Sequence, residues 1–355
     1  MPSERLFSAF ERWPDALFYA PVFFYWLWLS LRHRSLTLPT IANLPPALSG
    51  YLGESKSAAL DLLGPQGRAR VAPYAVFAAS QAEDPAEDRA RAARAVARAG
   101  ISYPLVAKPD IGQNGAGVRI VPDEAALLRY LAAFPRGGRV IVQKYIEEEG
   151  EAGVFYVRYP HEERGRIVSL TLKFFPRVRG AGGRTLRELI EADPRARRIK
   201  HLYFKRHGAR LDRAVPEGEE VRLISVGNHC KGAVFKNGAA EITPQMETAF
   251  DAIAREIPGF HFGRFDVRFA SLEALKRGEG FRILEVNGAD SEMTHIWDAR
   301  ATLAGAWRDQ FYQFRTAFEI GSENRARGAR AVGPGAFLAA WWRNRALIAA
   351  YTWEE

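Results

Sequence analysis

An alternation constrains this fold more than any other feature. Along residues 264–269 (Arg-Phe-Asp-Val-Arg-Phe) and again along 281–286 (Phe-Arg-Ile-Leu-Glu-Val), apolar and charged side chains interleave. A period near two marks a strand with one buried face. The two runs flank a short polar turn, so they are expected to be neighbouring strands. Residues 154–158 and 167–174 carry the same signal and are expected to be antiparallel. Helical patterns lie between these runs at 87–99, 124–134 and 244–256. Gly100 is the stop of the first, and Thr185 with Glu188 forms a capping box that opens another. Hairpins mixed with helices exclude a simple parallel sheet and predict an α+β (mixed α/β) chain.

A chain of 355 residues, 47% of them apolar, buries a real core, which rules out disordered and fibrous architectures. Length alone suggests two or three units at about 150 residues each. The texture divides the chain into an N-terminal region over 1–80 with an aromatic apolar helix, a central domain over 81–305, and a helical C-terminal tail over 306–355. Residues 36–50 are rich in Pro, Asn, Ser and Gly and read as a loop. A further helix is expected from Gly53 to Leu63. Cys230 is the single cysteine, so no intrachain disulfide and no multi-cysteine zinc site can form, which fits a reducing compartment. The formal charge is +9, carried by 41 arginines and nine lysines. Arg89, Arg91, Arg94 and Arg98 fit a solvated helix face, and no nucleic-acid partner is expected. The scarcity of lysine makes each one informative.

Three constellations carry chemistry. In the first, a strand delivers Lys108, and a loop with Gly112, Asn114, Gly115 and Gly117 follows. Glycines let backbone N–H groups approach an anion, and the lysine adds charge beside it. The alternative is an ordinary glycine-rich turn. No Gly-Lys-Ser/Thr follows the glycines, so this is not a Walker loop. In the second, Gln143-Lys144-Tyr145-Ile146 ends a strand and an acidic run ending in Glu151 follows. Such a strand end offers backbone groups to a purine edge and a carboxylate to ribose hydroxyls; alone it also fits an acidic surface turn. The third is the most specific. Glu285 and Asn287 are two apart and share one strand face, with Asp266 on a neighbouring strand. Two carboxylates and an amide oxygen are hard donors that suit Mg²⁺ and leave room for phosphate oxygens.

In this order the motifs resemble the ATP-grasp superfamily across residues 100–300. The ending, Gly263-Arg264-Phe265-Asp266, then Glu285-Val286-Asn287, then Met293-Thr294-His295, looks most like the D-alanine–D-alanine ligase branch. The resemblance implies two α+β lobes clamping ATP, and an ATP-dependent carboxylate–amine ligase that works through an acyl phosphate. It implies that Lys108 and Lys144 contact phosphate or base and that Glu151 holds the ribose. Arg264 would stabilise charge on the acyl phosphate. Asp266, Glu285 and Asn287 would hold two Mg²⁺ ions, for which Mn²⁺ can substitute. Lys173 would be a further phosphate contact or else a surface lysine. The substrates implied are a small-molecule or lipid-linked carboxylate and amine, and a homodimer is compatible. The chain departs from the branch at Gly288-Ala289-Asp290-Ser291-Glu292, where Pro-Gly is usual, so the acceptor pocket is expected to differ, near Glu292. Gly180-Ala181-Gly182-Gly183 resembles a Gly-Asp-Gly turn of amino-acid ligases but lacks the acid. Glu54 invites two readings, a substrate-amine carboxylate or a helix-start acid.

Two other enzyme readings and one non-enzymatic reading compete. A kinase-like relative would stop at phosphorylation, and a nucleotide-responsive scaffold would not turn over at all. His229 and Cys230 suggest a nucleophile pair, but the segment is read as a strand lining the nucleotide site with Asn228 or Lys231 facing phosphate. His295 with Asp298 suggests an acid–base pair. The run 16–31 holds seven aromatic residues and ends at Arg32, His33 and Arg34. At about 16 residues it falls short of the ~20 a spanning helix needs. Two readings remain, a helix buried against a domain and an interfacial helix with basic anchors. The tail repeats the combination at Trp341, Trp342, Arg343 and Arg345. The expected location is the cytoplasm, with contact to the inner membrane face as the second reading.

Overall fold

Every ladder between the described strands of this protein is antiparallel. The coordinates are a computed structural model, and the structure describes residues 6–81, 84–113 and 115–351. The first sheet has the order β1 (Tyr74–Ala78), β4 (Arg139–Lys144), β2 (Leu105–Pro109), β3 (Arg119–Val121). The second runs β11 (Phe281–Asn287), β10 (Phe262–Phe269), β5 (Gly150–Val157), β6 (Arg166–Phe174), β9 (Val234–Asn237). A two-stranded ribbon pairs β7 (Arg177–Arg179) with β8 (Glu220–Arg222). The α+β class expected from the alternation is the class observed. Because β1 pairs with β4, the first sheet joins residues on both sides of position 80.

The helices start and stop where local chemistry allows. Helix α4 (Pro85–Ala99) is capped by Asp84, whose side chain accepts from the N–H groups of Ala86 and Glu87, and it ends at Gly100 in the left-handed region, φ 60°. Helix α5 (Glu124–Ala133) packs beside it over the first sheet, burying Leu127, Tyr130 and Leu131 with Leu105, Val140 and Val142. The expected capping box opens α6 (Leu186–Ala192), which packs with α7 (Lys200–His207) over the ribbon. Helices α8 (Pro244–Arg255) and α9 (Leu272–Lys276) cover the outer face of the second sheet. There Phe250, Phe265, Val267 and Ile283 form the largest core with Tyr156 and Met246.

The N-terminal third belongs to this assembly. Helix α1 (Asp15–Arg32) packs against α10 (Leu303–Ala326). Helix α2 (Lys56–Asp61) lies on β11, and α3 (Pro65–Arg68) on α8. The helix expected from Gly53 begins later, because Ser55 takes the cap position and accepts from Ala58 N–H. The tail helix α11 (Pro334–Ala350) ends at Tyr351, which is buried with Phe134 and Leu347 in the first sheet's core. No described helix is long and apolar enough to cross a membrane.

Candidate functional site

The inner face of the second sheet is charged, and a cavity of about 610 Å³ opens between it and the first sheet. Strict alternation along β10 sends Phe265 and Val267 to the core and Arg264, Asp266 and Arg268 to this cavity. On β11 alternation alone would put Ile283, Glu285 and Asn287 on one face. The ladder slips instead: Asp266 pairs with Glu285 while Val267 pairs with Ile283, which leaves Leu284 as an extra residue. This bulge keeps Ile283 in the core and turns Glu285 and Asn287 toward Asp266. Asn287 Nδ2 donates to Asp266 Oδ2 at 2.9 Å.

Cations stand on both carboxylates. Asp266 accepts from Arg264 Nε and Nη2 at 3.0 Å each and from Lys173 Nζ at 2.9 Å. Burial alone would raise its pKa, but Arg264 and Lys173 overcome that and hold it well below the ordinary value. Lys173 is itself buried and also donates to Glu151 at 3.3 Å. Arg268 Nε donates to the other Glu151 oxygen at 2.9 Å. Glu285 accepts from Lys56 Nζ at 2.7 Å. Burial opposes its ionisation, yet Lys56 and Lys108 keep its pKa below the usual carboxylate value. Lys108 is buried and donates to Leu284 O at 3.2 Å; desolvation lowers its pKa, opposed by Glu285.

Among the described residues no cluster of three or more His, Cys, Asp or Glu side chains could hold a metal ion. The donor set expected from the sequence is smaller: two carboxylates and the Asn287 amide oxygen. That set fits Mg²⁺ carried in on phosphates, which takes one or two carboxylates and leaves its other positions to substrate and water.

Nearly all residues singled out in the sequence converge on this cavity. Lys108, Gly112, Gly115, Gln143, Lys144, Tyr145, Ile146, Glu151, Lys173, Arg264, Asp266, Glu285 and Asn287 all line it. Asn114 lies outside the described residues. Gly117 does not line the cavity. It is buried at φ 69°, its carbonyl accepts from Tyr130 Oη at 2.9 Å, and a Cβ there would stand 2.7 Å from Pro109 Cγ. Its role is to turn the chain against Pro109, where a side chain has no room. The glycine-rich loop is held from three sides: Lys56 Nζ reaches Gly112 O at 2.6 Å, Lys231 Nζ reaches Gly115 O at 2.8 Å, and Tyr351 Oη reaches Ile111 O at 2.8 Å.

Sequence reasoning missed Lys56. Its signal was present, since it is one of only nine lysines and follows a good cap residue. Buried Asp110 fixes it: the carboxylate accepts from Ser55 Oγ at 2.8 Å, Ser57 N at 2.9 Å and Arg139 Nε at 2.8 Å, which pins the start of α2 beside the end of β2. Gly227 and Asn228 line the cavity as expected; also missed were Arg268, Ser225 and Val226, and the wall supplied by Glu11, Trp13, Asp15 and Tyr19.

Four expectations need correction. Residues 229–231 form a single 3₁₀ turn rather than a strand, because His229 is drawn away to Glu11 at 2.9 Å and stacks on Trp297 at 5.1 Å. The side chain of Cys230 lies outside the described residues. His295 does not pair with Asp298; it bonds Asp309 Oδ2 at 2.9 Å and Ser169 Oγ at 2.7 Å, while Asp298 caps the backbone N–H groups of Asn237 and Arg300. Glu54 is not in a helix, since Ser55 caps α2; its carboxylate faces the cavity and accepts from Leu52 N at 3.0 Å. Glu292 lines the cavity but is already engaged, by Tyr19 Oη at 2.7 Å, Gln310 Nε2 at 2.6 Å and Trp297 Nε1 at 2.8 Å. The carboxylate of the 288–292 turn turned toward open cavity is Asp290. Asp290 is exposed on the cavity wall, yet desolvation by the surrounding walls, and then the charge of Glu54, push its pKa up to about 7.

No family model matches the chain, and no curated protein matches it. Similar solved structures include a bifunctional glutathione synthetase from Pasteurella multocida, at 18% identity and TM-score 0.37 over 75% of this chain and 37% of that one. The VanG D-Ala:D-Ser ligase from Enterococcus faecalis is 14% identical, with TM-score 0.41 over 76% of this chain and 63% of that one. A D-alanine–D-alanine ligase from Bacillus anthracis is 15% identical, with TM-score 0.41 over 81% and 72%. The chain thus spans 37% and 63% of the length of the first two. These likenesses are loose, and the reading of the site rests on its own geometry.

Proposed function

We propose that this chain is an ATP-dependent carboxylate–amine ligase of the ATP-grasp kind, forming a C–N bond through an acyl phosphate with release of ADP. One observation carries the reading. Residues picked from five separate segments for phosphate, base and metal chemistry line a single cavity between two antiparallel sheets.

In this reading adenine lies along the strand end at Gln143, Lys144, Tyr145 and Ile146, whose backbone groups recognise its edge. Lys108, Lys56 and Lys173 surround the phosphates, and the loop holding Gly112 and Gly115 covers them. Asp266, Glu285 and Asn287 would hold Mg²⁺, which would supply charge neutralisation at the phosphate oxygens. Lys56 on Glu285 and Lys173 on Asp266 keep their positive charge beside the same carboxylates, within reach of the phosphates. Glu151 anchors Lys173 through the pair with Arg268, and ribose recognition is its second task. The substrate carboxylate oxygen attacks the γ-phosphorus as the bond to ADP breaks. Arg264, fixed by Asp266 on one side and by Glu292 O at 2.8 Å on the other, offers its guanidinium to the charge that develops on the acyl group. The amine nitrogen then attacks the acyl carbon and phosphate leaves. With Glu292 engaged, Glu54 and Asp290 are the carboxylates that face an incoming ammonium group. Holding both substrates in one cavity, with the Gly112–Gly115 loop over the phosphates, makes the second step effectively unimolecular and limits the access of water to the acyl phosphate.

The test is ATP consumption across pairs of carboxylates and amines, with product masses read directly. The expected result is ADP release that depends on the amine, with a condensed product. ADP formed equally without any amine would leave only a phosphotransferase, and no turnover with any pair would leave a nucleotide-binding scaffold.

A further inference from the structure

Helix α1 has two unlike faces. On one, Phe18, Val22 and Leu29 are buried, with Phe18 stacked on Phe10 at 5.3 Å and Trp26 edge-on to Phe314 and Phe318 of α10. On the other stand Leu17, Phe24, Trp28 and Leu31, spaced by seven, four and three residues and so aligned along one stripe. They are 55%, 67%, 49% and 79% exposed, and Phe23 borders them at 58%. Single exposed apolar residues need no explanation, but a continuous stripe of large ones does. The stripe carries no acid. At its end Arg32 lies over the Trp28 ring at 5.5 Å, and exposed Arg34 follows.

Charge selects what covers this face. Residues 177–213 hold twelve Lys and Arg against four Asp and Glu, nearly the whole of the protein's net +9. That segment is tied to the residues that lead into α1. Arg195 bonds Leu6 O and, at 2.9 Å, Glu11, and Arg198 lies over the Phe7 ring at 5.8 Å. Arg197, Arg198, Arg210 and Arg213 are exposed. A second copy of this chain would bring the same positive excess to the contact, whereas an anionic bilayer is complementary to it. Helix α11 repeats the pairing, with Leu338, Trp341 and Trp342 exposed and Arg345 over Trp341 at 5.3 Å. The two helices meet through Tyr51, whose ring contacts Trp26 at 5.9 Å and Phe337 at 6.2 Å.

We propose that the Leu17–Phe24–Trp28–Leu31 stripe seats the protein on the surface of an anionic bilayer, with the 177–213 segment adding electrostatic attraction. With no described helix able to cross a membrane, α1 lies in the interface plane, apolar face toward the acyl chains and rings at headgroup depth. The seated helix starts at the cavity wall, which Trp13, Asp15 and Tyr19 help to form.

The experiment is co-sedimentation of the full chain with phosphatidylcholine vesicles, with and without phosphatidylglycerol. Binding is expected only with the anionic lipid and is weakened severalfold by salt at about 0.5 M, where screening shortens to a few ångströms. The triple variant Leu17→Ser/Phe24→Ser/Leu31→Ser removes side chains that are mostly in solvent, so its melting temperature should hold while partitioning falls at least tenfold. Arg197→Glu/Arg198→Glu should weaken binding severalfold. Should the triple variant fail to fold, brominated lipids must still quench the wild type's tryptophan fluorescence, and less so in Trp28→Phe. Four results overturn the proposal: no binding by the wild type, equal binding to neutral vesicles, a folded triple variant that binds as well as wild type, or a wild-type dimer that the triple variant disperses without any vesicle binding.

Discussion

The two faces of the five-stranded sheet are built from alternate residues of the same strands, yet they obey different rules. Toward α8, Phe265, Val267 and Ile283 lie in an apolar core with Phe250 and Phe281. Toward the cavity, Asp266, Arg268, Glu151 and Lys173 are buried as well, and Arg264 half-buried, yet all five carry charge. Burial on the first face stabilises the fold in proportion to area. On the second it costs desolvation, offset only because every carboxylate has a cation within about 3 Å. A sheet that keeps so many buried ions where apolar side chains would serve as well is organised for chemistry on that face.

Substitutions on the two faces should therefore separate stability from turnover. The largest effect is expected at Phe265, fully buried at the centre of the core. Phe265→Ala leaves a cavity and should cost about 3–5 kcal/mol of stability, read from urea unfolding. A loss under about 1 kcal/mol would mean that this face is not the fold's main support. On the cavity face Glu285→Gln is nearly isosteric. It should keep the melting temperature within a few degrees while turnover with a productive substrate pair falls by about 10²–10³, the range for losing one preorganised electrostatic contact. An active Glu285→Gln enzyme indifferent to Mg²⁺ would remove Glu285 from metal binding.

The next effect tests the opposite wall. Ligand that binds only the native state stabilises it, by about 2.7 kcal/mol at a hundredfold excess over Kd. ATP with Mg²⁺ is expected to raise the melting temperature of the wild type. Lys108→Ala should abolish most of that rise, and so should Lys56→Ala, because both lysines face Glu285. If both variants respond to ATP like the wild type, the phosphates lie elsewhere.

The core face was easier to read in the sequence than the cavity face. Phe265 and Val267 announce themselves by period, as do the hairpins and the caps at Thr185 and Gly100, because these depend on near neighbours in the chain. Lys108, Asp266, Glu285 and Asn287 were legible because their types are out of place among apolar residues. The bulge at Leu284 was not: apolar Ile283 and Leu284 fit either register, and only the packing of Ile283 under α8 and α2 decides between them. Lys56 was missed because its place depends on Asp110, 54 residues away along the chain. The wall from Glu11 to Tyr19 depends on a contact still longer in sequence, Tyr19 to Glu292. For the same reason Glu292 reads as a free acid in sequence and proves engaged in the fold.

The smallest effect concerns Asp290, the one cavity carboxylate whose pKa is displaced upward to near neutrality. Asp266 and Glu285 ionise readily because cations sit on them, whereas Asp290, exposed on the cavity wall, has its pKa held up to about 7 by desolvation from the surrounding walls and by the charge of Glu54. In the unfolded chain an aspartate titrates near about 3.9. Between those values the native state keeps a proton that the unfolded state has lost, so stability falls as pH rises across the interval. The contribution is whole below about pH 4 and gone above about pH 7. Asp290→Asn stays neutral throughout and escapes this loss. Its melting temperature relative to wild type should therefore climb between pH 5 and pH 8, by a few degrees at most because the cavity is open to solvent. Glu54→Gln should shift the wild-type dependence to lower pH by removing the neighbouring charge. A difference between Asp290→Asn and wild type that stays flat with pH would mean that Asp290 is already ionised, and that the cavity offers an incoming ammonium group two full charges rather than a carboxylate pair that shares a proton.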